Sequence, residues 1–146
     1  MTQLNSTESP LWRVGFYHCG HAERLRVNSA ESLEMRREHI DRILSDEGLK
    51  LIGQGMIRYS DDGAHGYTYM TGLLQSGAMI HTYPEEDYRS VTLMIDTCEP
   101  VEAMQSIIDR IVDKLQWFYG AQVVLRRSAG EPLPLRSDDV PLAQAA

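Results

Sequence analysis

Residues 67–95, YTYMTGLLQSGAMIHTYPEEDYRSVTLMI, contain three short runs rich in aromatic and β-branched residues. The runs span residues 67–74, 78–82 and 90–95. Residues with turn chemistry, including Gly, Pro, Asp and Ser, lie between them, and this arrangement is typical of neighbouring β-strands. The stretch therefore predicts the centre of a β-sheet.

Three more runs of similar character lie outside this stretch, at residues 11–19, 49–59 and 122–125. The run at 49–59 is broken by Gly53 and Gly55, and it ends at Ser60-Asp61-Asp62-Gly63. This tetrapeptide has turn chemistry, since its glycine can adopt a positive φ, and it predicts a hairpin into the strand at 67–74.

Two helices are predicted between the strands. Asn28-Ser29-Ala30-Glu31 has the spacing of a capping box, and Gly48 stands where a left-handed C-cap would end a helix over about 29–47. A second helix starts within 97–100, with Pro100 near its first turn, and Gly120 ends it. Its apolar residues recur on one helical face and predict packing against a sheet. They are Val101, Met104, Ile108, Ile111, Val112 and Leu115.

Strands interrupted by two long helices predict an α+β fold, a two-layer α/β sandwich in which a mainly antiparallel sheet packs on the two helices. We find no internal repeat and no linker-like change of composition, so the folded domain is expected over residues 11–127. Residues 1–10 and 128–146 lack periodicity and are expected to be flexible tails.

Composition and charge limit the function classes. A formal net charge of -7 argues against a nucleic-acid or anionic-membrane surface, because both require a positive field. No membrane span or export signal is recognisable, and two cysteines are too few for a disulfide framework, which favours a cytoplasmic protein. His18, Cys19 and His21 are close in sequence, but strand alternation separates His18 from Cys19, so no metal site is predicted.

Residues 68–98 gather hydroxyl, imidazole, carboxylate and thiol groups, and each has a structural as well as a functional interpretation. Ser76-Gly77 suits an ordinary turn, and His81 suits a hydrogen-bonded structural histidine. Cys98 suits a buried, inert thiol. Tyr83 and Glu85 suit a loop aromatic and a solvated acidic face. None of these residues is decisive alone.

Taken together, their order resembles the bacterial S-adenosylmethionine decarboxylase family. The string Gln75-Ser76-Gly77-Ala78-Met79-Ile80-His81-Thr82-Tyr83-Pro84-Glu85 is similar to that family's signature, in which Glu-Ser-His is followed by Ile-His-Thr-aromatic-Pro-Glu. Thr97-Cys98 resembles the family's Thr-Cys-Gly, and Thr68 lies eight residues before Ser76, where the family has a processing serine. The resemblance is sharpest over residues 66–98.

The resemblance implies a self-cleaving enzyme. The hydroxyl of Ser76 would attack the carbonyl of Gln75, the amide would become an ester, and β-elimination would leave a pyruvoyl group derived from Ser76. Such chemistry requires a donor for the oxyanion and a base for the serine Cα proton. Thr68 and His81 match the family positions for these two tasks.

The resemblance also implies how substrate would be used. The pyruvoyl group would form a Schiff base with the amine of S-adenosylmethionine, without pyridoxal phosphate or metal, in a pathway to spermidine. Cys98 matches the proton donor of the family, and a thiol with an ordinary pKa is protonated at neutral pH. Tyr83 and Glu85 match substrate-binding positions. A homo-oligomer, a dimer of cleaved protomers, is expected.

Differences from the family leave two alternatives. Gln75 stands for glutamate, Gly77 for histidine and Glu99 for glycine, and the segment leading to Cys98 is two residues longer. One alternative is a pyruvoyl decarboxylase of another amino acid, such as arginine or ornithine. The other is an uncleaved paralogue that binds a ligand or regulates a partner.

Overall fold

The protein is described by a computed structural model over residues 11–59, 64–74, 76–85, 87–97, 99–128 and 131–132. Its helices are α1 (Ala30–Ser45) and α2 (Val101–Tyr119). Its strands are β1 (Leu11–Tyr17), β2 (Leu51–Arg58), β3 (Tyr67–Leu73), β4 (Ser76–Tyr83), β5 (Ser90–Asp96), β6 (Val123–Ser128) and β7 (Glu131–Pro132). A short 3-10 helix, Ala22–Leu25, follows β1 and was not predicted.

The strands form one sheet in the order β2-β3-β4-β5-β1-β6-β7, and each pair of neighbours is antiparallel. The predicted strands at 67–74, 78–82 and 90–95 are the consecutive neighbours β3, β4 and β5. Both helices contribute to the core that covers one face of the sheet. The predicted α+β two-layer sandwich is therefore confirmed.

Alternation along the strands decides which side chains meet the helices. On β1, Trp12, Val14 and Phe16 are fully buried, whereas the residues between them are not. On β4, Ala78 and Ile80 are buried in the same way. Since successive strand residues point to opposite faces, the remaining positions form a second, helix-free face.

This helix-free face is rich in apolar side chains within the described part of the chain. It includes Met70, which is 49% exposed, together with the less exposed Met79 and Met94 of the two neighbouring strands.

At the sheet edge, the β2–β3 register shifts between Ile52 and Gly55, and Gly53 has φ 65°, so the glycines that interrupt the predicted strand mark a bulge.

The first helix is capped differently from the prediction. Ser29, not Asn28, is the N-cap of α1: its hydroxyl accepts the Ser32 N–H at 3.0 Å, and the Ser32 hydroxyl accepts the Ser29 N–H at 3.1 Å. The capping box therefore exists, but the partner of the cap is Ser32 rather than Glu31, because the helix starts one residue later. Beyond its end, Gly48 takes the expected positive φ of 89°.

The second helix agrees more closely with the sequence. Pro100 is the N-cap of α2, and Gly120 ends it in the left-handed region at φ 66° and ψ 36°. The predicted apolar stripe faces the core, and Ile108, Ile111 and Leu115 are fully buried.

Buried tyrosines tie β3 to both helices. The Tyr67 hydroxyl donates to the Arg24 carbonyl at 2.8 Å and lies 2.7 Å from the Tyr119 hydroxyl. The Tyr69 hydroxyl donates to the Asp41 carboxylate at 2.6 Å. Burial raises the pKa of Tyr67 well above its ordinary value, so its hydroxyl stays protonated. These bonds hold the strand that carries Thr68.

Cys19 lies just after β1, on the side of the core. Its thiol is 2% exposed and 3.9 Å from the Phe16 carbonyl oxygen. Burial raises its pKa to about 12, although nearby Arg89 opposes the shift. At neutral pH this cysteine is therefore an unreactive, structural thiol.

No helix within the described ranges is long and apolar enough to cross a membrane. The predicted turn at residues 60–63 and the predicted tail at 1–10 lie outside the described residues. Ser128 is the last residue of β6, and Glu131–Pro132 pairs with that strand. The domain limits 11–127 and the flexibility of the tails stay predictions.

Candidate functional site

Thr68 and His81 meet across the β3–β4 hairpin. They are register partners, and the Thr68 Oγ1 lies 2.6 Å from the His81 Nδ1. Their neighbours Tyr67 and Ile80 are buried toward the helices, so alternation places the pair on the helix-free face. The structure thus brings together two residues that the sequence assigns to processing.

Two aromatic rings enclose the imidazole of His81. The Tyr59 ring is stacked on it, with centroids 4.6 Å apart and an interplanar angle of 17°. The Tyr83 ring is also 4.6 Å away but tilted by 55°. In addition, the Tyr59 hydroxyl donates to the Thr82 backbone carbonyl, on the residue next to His81. The ring orientation of His81 is consequently fixed by Thr68, Tyr59 and Tyr83 together.

Tyr59 was not predicted as part of a site. It reaches His81 because it follows β2 and its backbone N–H bonds to the Gly66 carbonyl at 3.1 Å. A Cβ at residue 66 would overlap the Tyr59 hydroxyl, so Gly66 makes room for the ring. A glycine just before the strand that carries Thr68 is the only sequence signal for this contact.

The environment of His81 favours its neutral form. Burial lowers the pKa of His81 below its ordinary value, while the carboxylate of Glu85 partly opposes this. Because imidazole is a base and a hydrogen-bond acceptor only when neutral, His81 keeps these abilities at neutral pH and in mild acid.

Ser76 opens β4 and pairs with Leu73, the last residue of β3. Leu73 is 4% exposed and faces the helices, so register and alternation assign half-buried Ser76 to that same face. His81 lies on the other face, five residues farther along, which is roughly 16 Å at the rise of a strand. Within one chain, therefore, the structure does not bring Ser76 to the Thr68–His81 pair.

Two predicted site residues, Gln75 and Cys98, lie outside the described residues. Near Cys98, the Thr97 hydroxyl accepts the Glu99 N–H at 2.8 Å, and Thr97 is 4% exposed. The approach to the second helix is therefore held by Thr97.

The predicted substrate-binding residues Tyr83 and Glu85 both lie near His81. Tyr83 is half-buried and Glu85 is exposed. Two further tyrosines, Tyr17 and Tyr88, lie close by, with ring centroids 5.6 Å apart. Burial raises the pKa of Tyr17, and the nearby Tyr88 and Tyr83 raise it further. Tyr88 thus belongs to an aromatic group at this end of the sheet.

A cavity of about 350 Å³ occupies the helix-free face near the other end of β4. Glycines form part of its floor, and methionines from three adjacent strands form its walls. Its lining residues are Leu11, Gly53, Met70, Thr71, Gly72, Gly77, Ala78, Met79, Met94 and Asp96. Gly77 follows Ser76 directly, so the cavity begins beside the predicted cleavage site.

Among the described residues, no three His, Cys, Asp or Glu side chains are grouped to hold a metal ion. The imidazole of His81 and the hydroxyl of Thr68 lie together in this part of the chain and have proton-transfer and hydrogen-bonding chemistry.

Comparison with known proteins adds a family match over most of the chain. The family described as S-adenosylmethionine decarboxylase matches residues 13–128. No curated protein matches the chain in sequence.

The fold is similar to solved structures. The adenosylmethionine decarboxylase from Aquifex aeolicus is 18% identical, with a TM-score of 0.64 over 90% of this chain and 96% of that one. A Trypanosoma brucei AdoMetDC monomer is 12% identical, with a TM-score of 0.48 over 80% of this chain and 44% of that one.

Proposed function

Because the chain belongs to the S-adenosylmethionine decarboxylase family, we propose that it is a proenzyme that cleaves itself between Gln75 and Ser76 and then decarboxylates S-adenosylmethionine. In this proposal the product feeds spermidine synthesis in the cytoplasm. Family and fold already make the chain an S-adenosylmethionine decarboxylase-like enzyme. The observation that carries the self-cleavage is the Thr68–His81 pair.

The processing step would use side chains of this protein and one water molecule. The Ser76 Oγ attacks the Gln75 carbonyl carbon, and the Thr68 hydroxyl stabilises the oxyanion. Breakage of the C–N bond leaves an ester. Neutral His81 then takes the Ser76 Cα proton, so the ester C–O bond breaks and frees the Gln75 carboxylate. The remaining dehydroalanine takes up one water and releases ammonia to become a pyruvoyl group.

The separation of Ser76 from His81 supports a dimer in this reaction. The two residues are roughly 16 Å apart along β4 and on opposite faces, so one chain does not supply both to one reaction centre. We place the Thr68–His81 pair of one protomer against Ser76 of its partner. The apolar helix-free face, with Met70, Met79 and Met94, is the surface that such a dimer would bury. Ser76 would meet this interface at the end of β4, where it is half-buried and its neighbour Gly77 leaves space on the helix-free face.

The surroundings of Ser76 fit a pyruvoyl group at this position. Residue 76 is half-buried, and Gly77 beside it leaves space, since a Cβ there would meet only the Thr71 carbonyl at 3.5 Å. When formed, the group supplies an electron-withdrawing carbonyl that takes up the electrons released as carbon dioxide leaves. The Cys98 thiol would return a proton to the product carbon.

Substrate recognition is proposed for the aromatic end of the site. The tilted, half-buried ring of Tyr83 offers a flat apolar surface for the adenine, and the exposed carboxylate of Glu85 can accept hydrogen bonds from the ribose hydroxyls. In the proposed dimer this end of one protomer lies against Ser76 of the other.

Intact-mass measurement of the purified protein tests the proposal. We expect two chains, one that ends at Gln75 and one that begins at residue 76. The chain that begins at residue 76 should be lighter than a serine-initiated chain by the mass of one ammonia. Ser76→Ala should give only the full-length mass. A full-length wild-type mass would overturn the proposal and favour the uncleaved paralogue. An uncleaved protein would also agree with the position of Ser76 and His81 on opposite faces of the sheet in one protomer.

Release of carbon dioxide distinguishes the substrates. Cleaved protein should release labelled carbon dioxide from S-adenosylmethionine and not from arginine or ornithine. Release from either amino acid, with S-adenosylmethionine left intact, would favour the alternative decarboxylase instead.

A further inference from the structure

The cavity beside Ser76 has an unusual combination of walls and charge. Met70, Met79 and Met94 give it a polarisable apolar lining, while Asp96 is the only ionisable residue among the described residues that line it. Asp96 reaches the cavity because Ile95 is buried toward the helices and alternation turns the next residue to the helix-free face.

The carboxylate of Asp96 is not used elsewhere in the described part of the chain, where it has no hydrogen-bond or salt-bridge partner. It is exposed, so solvent and the cavity both reach it. A carboxylate at an apolar cavity attracts a cation more strongly than one in open water, because the effective dielectric constant is lower there.

The lining chemistry favours one type of cation. An ammonium or guanidinium group needs several hydrogen-bond acceptors, yet Thr71, the other polar side chain among the described residues at the cavity, faces the helices and is only 4% exposed. Its hydroxyl donates to the Gly72 carbonyl at 2.9 Å. A sulfonium ion has no N–H groups and needs only a nearby negative charge and apolar contacts around its carbon substituents. Asp96 and the methionines provide these two features.

Position also links the cavity to the reaction centre. Asp96 is the register partner of Gly77, the residue after Ser76. Cleavage would free residue 76 from Gln75, and Gly77 has no side chain to prevent it from turning toward the cavity. A substrate joined at residue 76 would then have its sulfur, a few bonds from its amine, within reach of Asp96.

We propose that this cavity binds the sulfonium end of the substrate and that Asp96 is its counter-ion and thereby a specificity-determining residue. The inference rests on the proposed function, since it concerns the substrate of that site. It goes beyond that function by assigning the charge recognition to β5 and to the helix-free face.

The test compares two ligands that differ by one methyl group on sulfur and by the positive charge that it creates. In a Ser76→Ala background, which removes processing and turnover, calorimetry measures binding of S-adenosylmethionine and of its neutral thioether analogue, S-adenosylhomocysteine. We expect the background protein to prefer the sulfonium ligand by about fivefold, the range of one partly exposed charge pair. Asp96→Asn should abolish this preference without changing affinity for the thioether.

Matched variants isolate the charge. Asp96→Glu should keep the preference, and Glu38→Gln, which neutralises an exposed carboxylate of α1, should leave it unchanged. Asp96→Ser provides a second neutral variant if Asp96→Asn unfolds. Equal affinities in the background protein, or a preference that survives both neutral variants, would overturn the inference.

The failure of the proposed function is separately visible. It would appear as an uncleaved wild-type chain that releases no carbon dioxide. If wild-type protein is cleaved and active while the neutral variants keep the preference, only the role of Asp96 fails.

Discussion

His81 is the residue at which the local contacts of the site converge. A hydroxyl, two aromatic rings and a nearby carboxylate each act on its imidazole, and each comes from a different position of the chain. Because the ring is held in one orientation, its ability to take a proton depends on its protonation state rather than on its motion.

The pH dependence expected of the proposed self-cleavage follows from that protonation state. Burial lowers the pKa of His81, so cleavage should be pH-independent above about 6.5 and should slow only as the pH falls through the lowered pKa. Glu85→Gln removes the charge that raises this pKa, and the midpoint should move to still lower pH. Stopped time courses analysed by intact mass give the profile. A midpoint above the ordinary histidine value would contradict the assignment of His81 as the base.

Thr68 offers a second test at the scale of one atom group. Thr68→Val keeps the shape of the side chain but removes the hydroxyl that lies 2.6 Å from His81. Loss of an oxyanion donor costs roughly 100-fold in rate, so cleavage should slow by about that factor. Thr68→Ser retains the hydroxyl and should restore most of the rate. Equal rates for both variants would show that the hydroxyl has no part in processing.

The sequence predicts a site that contains Thr68, His81, Tyr83 and Glu85, because they stand in a recognisable order along β3, β4 and the residues after β4. The structure shows that the other three lie near His81, and their roles stay predictions. The prediction did not include Tyr59, which reaches the imidazole only through the space that Gly66 leaves. Such a contact depends on the register between two strands and not on spacing within one of them.

At the scale of elements, the N-cap of helix α1 can be tested by mutation. The structure makes Ser29 the N-cap and leaves Asn28 outside the helix. Ser29→Ala should therefore lower the free energy of unfolding by about 1 kcal/mol. Asn28→Ala should change it by less than about 0.5 kcal/mol, as expected outside a cap. Urea denaturation measures both, and a larger loss for Asn28→Ala would restore the cap that the sequence suggested.

Strand and helix faces were predictable, because periods of two and of 3.6 residues mark them directly. The stripe from Met104 to Leu115 is buried as expected, and the strands within 67–95 pair consecutively. The cap of α1 shifted by one residue because Asn28 and Ser29 both have capping chemistry. Local sequence alone does not choose between them.

At the scale of the whole molecule, the separation of Ser76 from His81 predicts complementation between inactive chains. Ser76→Ala retains the Thr68–His81 pair, and His81→Ala retains the residue to be cleaved. When the two variants are co-expressed, the His81→Ala chain should be cleaved, because its partner supplies the base. Expressed alone, neither variant should be cleaved.

Intact mass resolves the two chains in this mixture. Sedimentation should show a dimer in every sample, and Met79→Glu, which adds a charge to the helix-free face, should weaken it. Full-length His81→Ala chains within mixed dimers would contradict catalysis between protomers.

The order of the strands in the sheet could not be predicted from the sequence. β1 lies between β5 and β6, so its partners are distant in sequence, and no local pattern names them. The aromatic group of Tyr17, Tyr83 and Tyr88 exists only because this order brings the end of β1 beside the segment that follows β4.

The buried thiol of Cys19 can report how often the folded core opens. With its pKa raised to about 12 and 2% of its surface exposed, Cys19 should resist alkylation while the protein is folded. A pulse of iodoacetamide, followed by mass analysis of the peptide that contains Cys19, then measures the fraction of molecules in which the core has opened. The same alkylation measurement can show whether subunit exchange, ligand binding or cleavage changes how often the core opens.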